Sequence, residues 1–449
     1  MTNHVIGIIG AGPASLYAAE KLSKAGHEVV ILNRDIKHGG LAEFGIYPNK
    51  YKMKIGLRKV FHKILSHPNV HYYGDVLVSE SGDFTLEELS ELGFAAIVVA
   101  VGAQGTKWLG LPGEQTHGVW HAKDLVYHYN NLPPFSEMKF DIGQRACVVG
   151  LGNVALDIVH WLVCERKIEE VTLVARRGPG ERAYTDKEMK IVAGALDFEA
   201  IGAEFESIRS QVESMGQNPD EFLDELKKQA EAELECETPT KLKIRYLRSP
   251  AEIVGTTRVE GLLCDVMELQ DRGETVGVKR TENQEVLPCD TVVFAIGDSI
   301  EPSIGLPLSE DAKTFATLQE PWDEYPERER YRVRDPKTGQ ALGNVFVVGW
   351  ARKASDGLVG KARLDATQGC DEILAFLDGK FGDEIASKSV DEIKSAIETR
   401  ERELQKTLIR YEEILQLEEI ERKKAQELGL EEFKFSHRKD ILNAIEGES

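Results

Sequence analysis

The sequence predicts an α/β fold with two parallel-sheet units, because one opening pattern occurs twice along the chain. A buried apolar run at Val5 to Ile9 leads into a Gly-x-Gly turn, a helical pattern and a second run at Glu28 to Leu32. The same order returns from Ala146 to Val149 and ends at Val171 to Val174. Strand, glycine turn, helix and strand in this order form the βαβ unit of Rossmann-like folds. We therefore predict two Rossmann-like units.

The segments that follow the second opening predict further helices and strands. Residues 204–238 have a charged helical pattern that Pro239 ends, and residues 250–296 have the pattern of strands. A polar, Pro-rich stretch at 300–343 has the pattern of a connection, and a buried strand follows at Val345 to Val348.

The end of the chain predicts packed helices. Residues 390–428 are charged and helical in pattern, and their irregular apolar spacing favours packed C-terminal helices over a coiled coil. We predict one domain from residues 1–106 and 325–449, with a second domain, 107–324, inserted in it.

The composition restricts the classes of partner. The chain has 76 acidic and 55 basic residues, a net charge of −21. Nucleic-acid binding needs a basic surface, so this balance argues against it. No apolar run reaches the roughly 20 residues of a membrane helix, and the start at Met1 lacks the basic residues of a signal peptide. We expect a cytoplasmic protein with no membrane insertion.

The cysteines are isolated from one another in the sequence. They are Cys147, Cys164, Cys236, Cys264, Cys289 and Cys370. None has the C-x-x-C spacing typical of redox dithiols, zinc sites or iron–sulfur clusters. Isolated cysteines are usually small buried residues, so we expect packing roles for all six and no metal.

The first glycine motif predicts a nucleotide-binding turn. Gly10 permits the tight turn and Gly12 lets a pyrophosphate approach the backbone, where the helix N-terminus favours negative charge. Ala14 and Ser15 follow, and Ser15 replaces the third glycine of the usual motif. The residue expected to bind the ribose is Asn33, which can hydrogen-bond but carries no charge.

The second glycine motif predicts a site for NADPH. It runs through Gly150, Leu151, Gly152, Asn153 and Val154. Its second strand ends in Arg176 and Arg177, where an NAD site would present a carboxylate. Guanidinium groups pair well with a 2′-phosphate. The alternative is that both arginines belong to a solvated strand end.

A third glycine-rich element lies near the C-terminal helices. Gly349 and Trp350 follow a buried strand, and Gly357, Leu358 and Val359 open a helix. A helix N-terminus there would stabilise negative charge on a reduced flavin. Trp350 also fits a simple core position.

In this order the motifs resemble the adrenodoxin reductase-like ferredoxin–NADP reductases. The resemblance rests on residues 5–15, Gly39 to Ile46, Gly150 to Asp157, Ala175 to Pro179, Thr185 to Glu188, Arg245 to Pro250, and Gly349 with Trp350 and Gly357. It continues to Tyr411 and Lys434 and so covers nearly the whole chain.

The resemblance implies two cofactors, FAD and NADPH, and a hydride transfer from the nicotinamide to the flavin before electrons leave singly. The residues implied or proposed for FAD are Gly10, Gly12, Ala14, Ser15, Asn33, Gly40, Leu41, Val76, Gly102, Gly349, Trp350, Gly357, Leu358 and Val359. Those for NADPH are Gly150, Leu151, Gly152, Asn153, Val154, Arg176, Arg177 and Glu188. Lys50 and Glu188 are the candidates near the nicotinamide.

The chain departs from the family pattern at three places. Asn33 stands where the family has a ribose-binding Glu, and Lys50 stands where it has a His. Ala354, Ser355 and Asp356 stand where the family has Gly-Pro-Thr before the glycine that is Gly357 here. The first change concerns FAD affinity; the other two concern the proton route and the nicotinamide preference.

A local excess of basic residues predicts where an acidic electron carrier docks. No Asp or Glu lies between Phe44 and Gly74, and that stretch carries Lys50, Lys52, Lys54, Arg58, Lys59 and Lys63. The resemblance adds Arg245 and Arg248. Ferredoxins and flavodoxins are acidic, so such patches would steer their encounter. The alternative is a solvated helix face.

Two other functions compete with a free-standing ferredoxin or flavodoxin reductase. One is an electron-input flavoprotein subunit of a glutamate synthase-type complex; those subunits commonly carry an N-terminal cysteine-rich domain, and here the first cysteine is Cys147. The other is a nucleotide-binding sensor without turnover. The free-standing reductase is favoured over both of these alternatives.

Overall fold

The structure is a computed structural model that describes residues 3–317, 330–352, 359–382 and 384–447. The strands are β1 Val5–Ile9, β2 Glu28–Asn33, β3 Val70–Gly74, β4 Ala96–Val99, β5 Gly105–Thr106, β6 Val119–His121, β7 Arg145–Val149, β8 Glu170–Val174, β9 Lys241–Arg245, β10 Arg248–Val254, β11 Gly261–Asp271, β12 Val276–Pro288, β13 Thr291–Phe294, β14 Asp298–Ser299, β15 Arg332–Arg334 and β16 Ala341–Val347. The α-helices are α1 Pro13–Lys24, α2 Leu41–Phe44, α3 Tyr51–Leu65, α4 Leu86–Glu91, α5 Ala122–Tyr129, α6 Asn153–His160, α7 Asp186–Val192, α8 Phe198–Ser214, α9 Pro219–Gln229, α10 Val359–Leu377, α11 Val390–Glu403, α12 Tyr411–Leu428 and α13 Arg438–Glu446.

The chain forms two compact units. The first comprises Met1–Thr106, Tyr129–Glu137 and Gly297–Ser449, and the second comprises Lys107–His128 and Met138–Ile296. The chain therefore returns to the first unit at residue 297 rather than at the predicted residue 325.

The early return has a physical cause. Strand β14 pairs in antiparallel register with β5, so Asp298 lies opposite Thr106. The apolar side chains that follow, including Ile300, Ile304 and Phe315, are buried in the core of the first unit. Short strands of this kind have little hydrophobic periodicity. The segment is also polar in composition, so its sequence did not indicate that it joins the first unit.

A six-stranded sheet organises the first unit, in the order β15-β16-β4-β1-β2-β3. Its strands run parallel except for β15, which pairs antiparallel to β16. Helices α1 and α10 pack together on one face, and α11 contributes Ile393 and Ile397 to the core of the other. Because both faces are covered, the central strands are apolar at nearly every position.

The second unit has a parallel sheet and an antiparallel one. The parallel sheet has the order β6-β13-β7-β8-β9, and β10, β11 and β12 form the antiparallel sheet. The predicted helical region at 204–238 is two shorter helices, α8 and α9. Pro219 begins α9, since a proline is well tolerated in the first turn of a helix.

The cysteines divide into two groups. Cys147, Cys264, Cys289 and Cys370 are free and buried, as predicted. Cys164 and Cys236 form a disulfide in the second unit, so the packing role predicted for these two was wrong. Cys164 lies in the helical turn that follows α6 and Cys236 follows α9, so the fold joins two residues that are 72 positions apart in sequence.

The helices of the described residues include none with the length and apolar character required to cross a bilayer.

Candidate nucleotide-binding sites

In the first glycine turn, the backbone conformation and a close contact require glycine at position 10, and Gly12 leaves the space before the helix open. Gly10 has a φ of +98°, and a Cβ there would lie 2.8 Å from the carbonyl oxygen of Ala100. Gly12 has an ordinary φ of −78° and caps helix α1. A Cβ on Gly12 would meet no heavy atom within 4 Å. The space before the helix N-terminus is therefore open to a ligand, as a pyrophosphate site requires.

The loop after β2 forms a second wall beside this turn. The Gly39 amide donates to the carbonyl oxygen of Ala11 at 2.7 Å. A Cβ on Gly40 would lie 3.1 Å from the Cα of Gly12. Helix α2 begins directly afterwards at Leu41, which is half-buried. Backbone from two segments thus meets at Gly12, where side chains would obstruct a ligand.

Ser15 and Asn33 stabilise the turn from inside. The Ser15 hydroxyl donates to the carbonyl oxygen of Gly10 at 2.5 Å, and Ser15 is fully buried. The Asn33 Oδ1 accepts from the Ala11 amide at 3.0 Å. Its Nδ2 donates to the carbonyl oxygens of Asp35 and Lys37. Because both amide donors are used within the protein, a ribose hydroxyl contacting Asn33 would have to donate to Oδ1.

The other residues predicted for FAD lie in the first unit. Val76 is buried, and its amide donates to the carbonyl oxygen of Asn33 at 2.9 Å. Gly102 has a φ of +71°. Ala14 is buried beside Gly349, where an added Cβ would lie 2.5 Å from that of Ala14.

The third glycine-rich element contains an unsatisfied donor. The indole Nε1 of Trp350 is buried and has no protein hydrogen-bond partner among the described residues. Buried N–H groups are usually paired, so this donor fits a cofactor acceptor. Val359 begins helix α10 as predicted. Gly357, Leu358 and the 354–356 loop lie outside the described residues.

The second glycine turn repeats the geometry of the first. Gly150 has a φ of +128°, and a Cβ there would lie 2.4 Å from the carbonyl oxygen of Ala295. Gly152 caps helix α6, and a Cβ there would again meet nothing within 4 Å. Leu151 and Asn153 are half-buried, and Val154 is 49% exposed. The Asn153 Oδ1 accepts from the Thr185 amide at 2.9 Å, which ties the start of α6 to the loop before α7.

Arg176 and Arg177 provide positive charge near this turn. They follow strand β8, whose Val174 carbonyl oxygen accepts from the Gly150 amide at 3.0 Å. Both side chains are exposed, and neither forms an ion pair within the described part of the chain. Two guanidinium groups are therefore available to a phosphate.

Arg245 and Arg248 differ from that pair. Both guanidiniums bind the carboxylate of Glu285, and Arg245 also contacts Glu204 at 2.9 Å. These contacts offset much of their positive charge, and they lower the pKa of Glu285 against the opposing effect of its burial. Unlike Arg176 and Arg177, both are paired with carboxylates of the second unit.

The candidates near the nicotinamide lie in different units. Lys50 is half-buried and ends the short turn before α3 in the first unit. Glu188 is half-buried on α7 in the second unit.

Sequence reasoning missed the two carbonyl groups that require the turn glycines. Ala100 and Ala295 each follow a buried strand next to the glycine turn, and their carbonyl oxygens crowd Gly10 and Gly150. A shared local pattern was present, since both alanines are followed by an aliphatic residue and a glycine.

The predicted basic stretch divides into exposed and committed cations on α3. Lys52, Lys59 and Lys63 are exposed. Arg58 binds Glu43 and Glu432, and Lys54 is fully buried and donates to Asn130 Oδ1 at 2.6 Å. Burial lowers the pKa of Lys54 to about 7. Three of the six predicted cations, Lys52, Lys59 and Lys63, are therefore exposed and available to a partner.

Comparison with known proteins gives a consistent family. Residues 4–243 match the model of the pyridine nucleotide-disulphide oxidoreductases. The NADPH-ferredoxin reductase FprA of Mycobacterium tuberculosis is 30% identical over 422 residues, which cover 86% of this chain and 87% of the relative. The mitochondrial NADPH:adrenodoxin oxidoreductase of Salvelinus fontinalis is 32% identical, covering 65% and 64%. The solved structure of M. tuberculosis FprA in complex with NADPH matches with a TM-score of 0.81 at 27% identity, covering 99% of this chain and all of that one.

Proposed function

Because the chain belongs to the adrenodoxin reductase-like NADPH–ferredoxin reductases, within the pyridine nucleotide-disulphide oxidoreductases, we propose that it passes electrons from NADPH through FAD to a ferredoxin or flavodoxin. The observation that carries the proposal is the pair of open glycine turns, at Gly12 and Gly152, of which only the second is followed by two exposed arginines. The first turn suits the pyrophosphate of FAD and the second that of NADPH.

Residues of the first unit would hold FAD. The N-terminus of α1 and the amides around Gly12 would bind the pyrophosphate, since helix N-termini favour anions. The unpaired Trp350 indole N–H would donate to the cofactor. Asn33 would keep the turn in shape rather than recruit the ribose by charge.

Residues of the second unit would hold NADPH. The N-terminus of α6 would bind the pyrophosphate beside Gly152, and Arg176 with Arg177 would bind the 2′-phosphate. When bound, FAD supplies the chemistry that converts a two-electron hydride into single electrons for a one-electron carrier. The role of this chain is to orient both cofactors, because hydride transfer depends chiefly on their alignment.

The carrier would dock on the exposed face of α3. Lys52, Lys59 and Lys63 are accompanied there by two exposed apolar side chains, Met53 and Val60. Apolar contacts bordered by cations suit an acidic carrier, which the charges steer into place. Arg245 and Arg248 contribute less to this proposal because Glu285 already pairs with them.

A stopped-flow titration under anaerobic conditions tests the proposed function. The purified protein is expected to be yellow, to lose its flavin absorbance on addition of NADPH, and then to reduce ferredoxin or flavodoxin. NADH should reduce the flavin less efficiently. A colourless protein, or a yellow one that NADPH does not bleach, would instead support the nucleotide-binding sensor.

Copurification addresses the competing role in a larger enzyme. A stoichiometric second polypeptide that is needed for turnover would support an electron-input subunit. A single polypeptide that reduces the carrier by itself would support the free-standing reductase.

We also propose a cytoplasmic location, where NADPH is available as an electron donor. Disulfides are uncommon in that compartment. The oxidation state of Cys164 and Cys236 in the cell therefore bears on the proposed location. Fractionation with thiol trapping at lysis would show where the protein resides and whether this pair is oxidised there; recovery outside the cytoplasmic fraction would contradict the proposal.

A further inference from the structure

The first unit contains a group of metal-ligand side chains, one buried and two partly buried, that the two nucleotide sites do not use. His38, His62 and Glu418 each direct one ligand atom to a common region, and these atoms lie within 4.8 Å of one another. The three come from the loop after β2, from α3 and from α12, so only the folded unit brings them together. We call them the His38 cluster.

His38 is the strongest evidence that the cluster accommodates a ligand. The residue is 3% exposed, and no protein group hydrogen-bonds to either of its ring nitrogens. Its ring packs edge-on against Phe61, His62 and Tyr72. Buried polar groups are normally satisfied, so an imidazole with two unpaired nitrogens beside a carboxylate and another imidazole fits a ligand for a cation.

His62 and Glu418 are oriented for the same purpose. The Nε2 of His62 lies 3.0 Å from Glu418 Oε2. The Tyr411 hydroxyl lies 2.9 Å from His62 Nδ1 and donates to the His62 carbonyl oxygen at 3.3 Å. The contacts allow either tautomer of His62; in the one with its proton on Nδ1, Nδ1 donates to Tyr411 and the lone pair of Nε2 faces the carboxylate. A cation between Nε2 and the carboxylate would bind that tautomer, and such outer contacts commonly fix the orientation of metal-binding histidines.

The ion pairs around the cluster contain more negative than positive charge. Lys37 binds Glu421 at 2.7 Å and lies 3.7 Å from Glu418. A second group of ion pairs joins Arg58 and Lys434 to Glu43 and Glu432. Among these described pairs three cations face four carboxylates, and the carboxylate in excess lies in the group of Lys37, Glu418 and Glu421.

We propose that the His38 cluster binds a divalent transition-metal ion such as Zn²⁺. Two imidazoles and one carboxylate form a common zinc ligand set, with a fourth position left for water. Ligands around tetrahedral zinc lie about 3.4 Å apart, from bond lengths of roughly 2.1 Å, close to the observed separation of His62 and Glu418. The sequence predicts no metal because these ligands are far apart along the chain and follow no ligand spacing.

The site would stabilise the loop that forms part of the first nucleotide site. His38 directly precedes Gly39 and Gly40, and these glycines lie against Ala11 and Gly12. A metal bound to His38, α3 and α12 would fix the position of this loop.

Metal analysis of the full-length, tag-free flavoprotein tests the proposal. After dialysis against a chelator, Zn²⁺ is added back and excess ion removed, and zinc per chain is measured by mass spectrometry with affinity from a chromophoric competitor. We expect one Zn²⁺ per chain and a rise in melting temperature. Co²⁺ added instead should give the absorption bands of a tetrahedral site beyond the flavin spectrum.

Two variants and a matched control identify the ligands. Glu418→Gln preserves shape, and His38→Phe fills the aromatic surroundings without a ligand atom; each should weaken zinc binding by about tenfold or more and abolish the zinc-dependent rise in melting temperature. His71→Gln is the control, since His71 pairs with Glu28 at 2.9 Å but belongs to no three-ligand group within the described residues. Circular dichroism confirms that each variant folds.

Substoichiometric zinc in the parent protein, or equal zinc affinity in all variants, would overturn the proposal. Neither result depends on NADPH oxidation or carrier reduction, so the metal site and the proposed function can fail separately.

Discussion

The two glycine turns have the same backbone and different surroundings. Gly10 and Gly150 both need a positive φ because a carbonyl oxygen crowds them, whereas Gly12 and Gly152 cap a helix beside open space. After the first turn, the end of β2 is occupied by the buried, fully engaged Asn33. After the second, β8 leads into exposed Arg176 and Arg177. In the proposed function, the turn allows a pyrophosphate to bind, and the residues after the following strand determine which nucleotide that pyrophosphate belongs to.

The largest test of this comparison exchanges each open glycine for valine. Gly12→Val and Gly152→Val are compatible with the fold, because φ is −78° and −111° and an added Cβ meets no neighbour. Losing two charge-assisted hydrogen bonds costs about 1.5–3 kcal/mol each, roughly a hundredfold or more in affinity. We expect Gly12→Val to purify without flavin, and Gly152→Val to keep flavin but bind NADPH poorly.

Flavin stoichiometry and NADPH titration distinguish the two turns. Gly202→Val is the control, since Gly202 lies within α8 and also has open space around an added Cβ. If Gly12→Val retains stoichiometric flavin, the first turn has been assigned to the wrong ligand. If both variants lose both ligands, the turns do not act separately.

The arginine pair gives the next largest effect. We expect Arg176→Ala with Arg177→Ala to raise the KM for NADPH about ten- to a hundredfold, from the loss of roughly 1.5–3 kcal/mol of charge-assisted pairing, and to change the KM for NADH little. Arg145→Ala is a matched control, because Arg145 is an exposed arginine at the start of β7. Equal effects on both nucleotides would show that the arginines act through the fold instead of the 2′-phosphate.

The parts of this comparison that are local in sequence could be predicted, and the parts that depend on distant contacts could not. Strand β1, helix α1 and both turns follow from short patterns that their structures confirm. The Cys164–Cys236 bond joins residues with no shared motif. The pairing of Arg245 and Arg248 with Glu285 depends on neighbouring strands, so their sequence position showed charge but not its neutralisation.

Buried carboxylates extend the comparison to stability. Glu204 in the second unit accepts from the Tyr246 amide and contacts Arg245. Glu372 in the first unit accepts from the amides of Tyr331 and Arg332, and burial raises its pKa to about 7. The folded state therefore holds a proton that the unfolded state releases near its ordinary pKa of 4.5, so this contribution to stability falls as the pH rises from about 4.5 through 7.

Glu372→Gln tests this pH dependence. The neutral amide keeps a hydrogen-bond acceptor without the charge. The free energy of unfolding of the variant should therefore exceed that of the parent protein by about 2 kcal/mol at pH 8 and by little at pH 5. Chemical denaturation at both pH values measures the difference, with Glu403→Gln, an exposed position on α11, as the control. The same gain at both pH values would mean that ionisation of Glu372 is not its cause.

The smallest expected effect concerns the basic residues of the two units. Lys52, Lys59 and Lys63 are exposed on α3, whereas Arg245 and Arg248 are paired with Glu285. Changing the three lysines to Glu should slow reduction of an acidic carrier about three- to tenfold at low salt, and the difference should shrink as salt screens the charges. Reduction of a small neutral quinone by the same variant should be unchanged.

Arg248→Gln provides the contrast that decides between the two basic regions. Because its guanidinium is tied to Glu285 and to the backbone of Tyr246 and Leu247, we expect it to affect stability more than carrier reduction. Steering depends on net charge that extends into solvent, and a cation neutralised within its own unit contributes little of it. If Arg248→Gln slows the carrier more than the lysine changes do, while the quinone reaction is preserved, docking involves the second unit and the exposed face of α3 is a solvated surface.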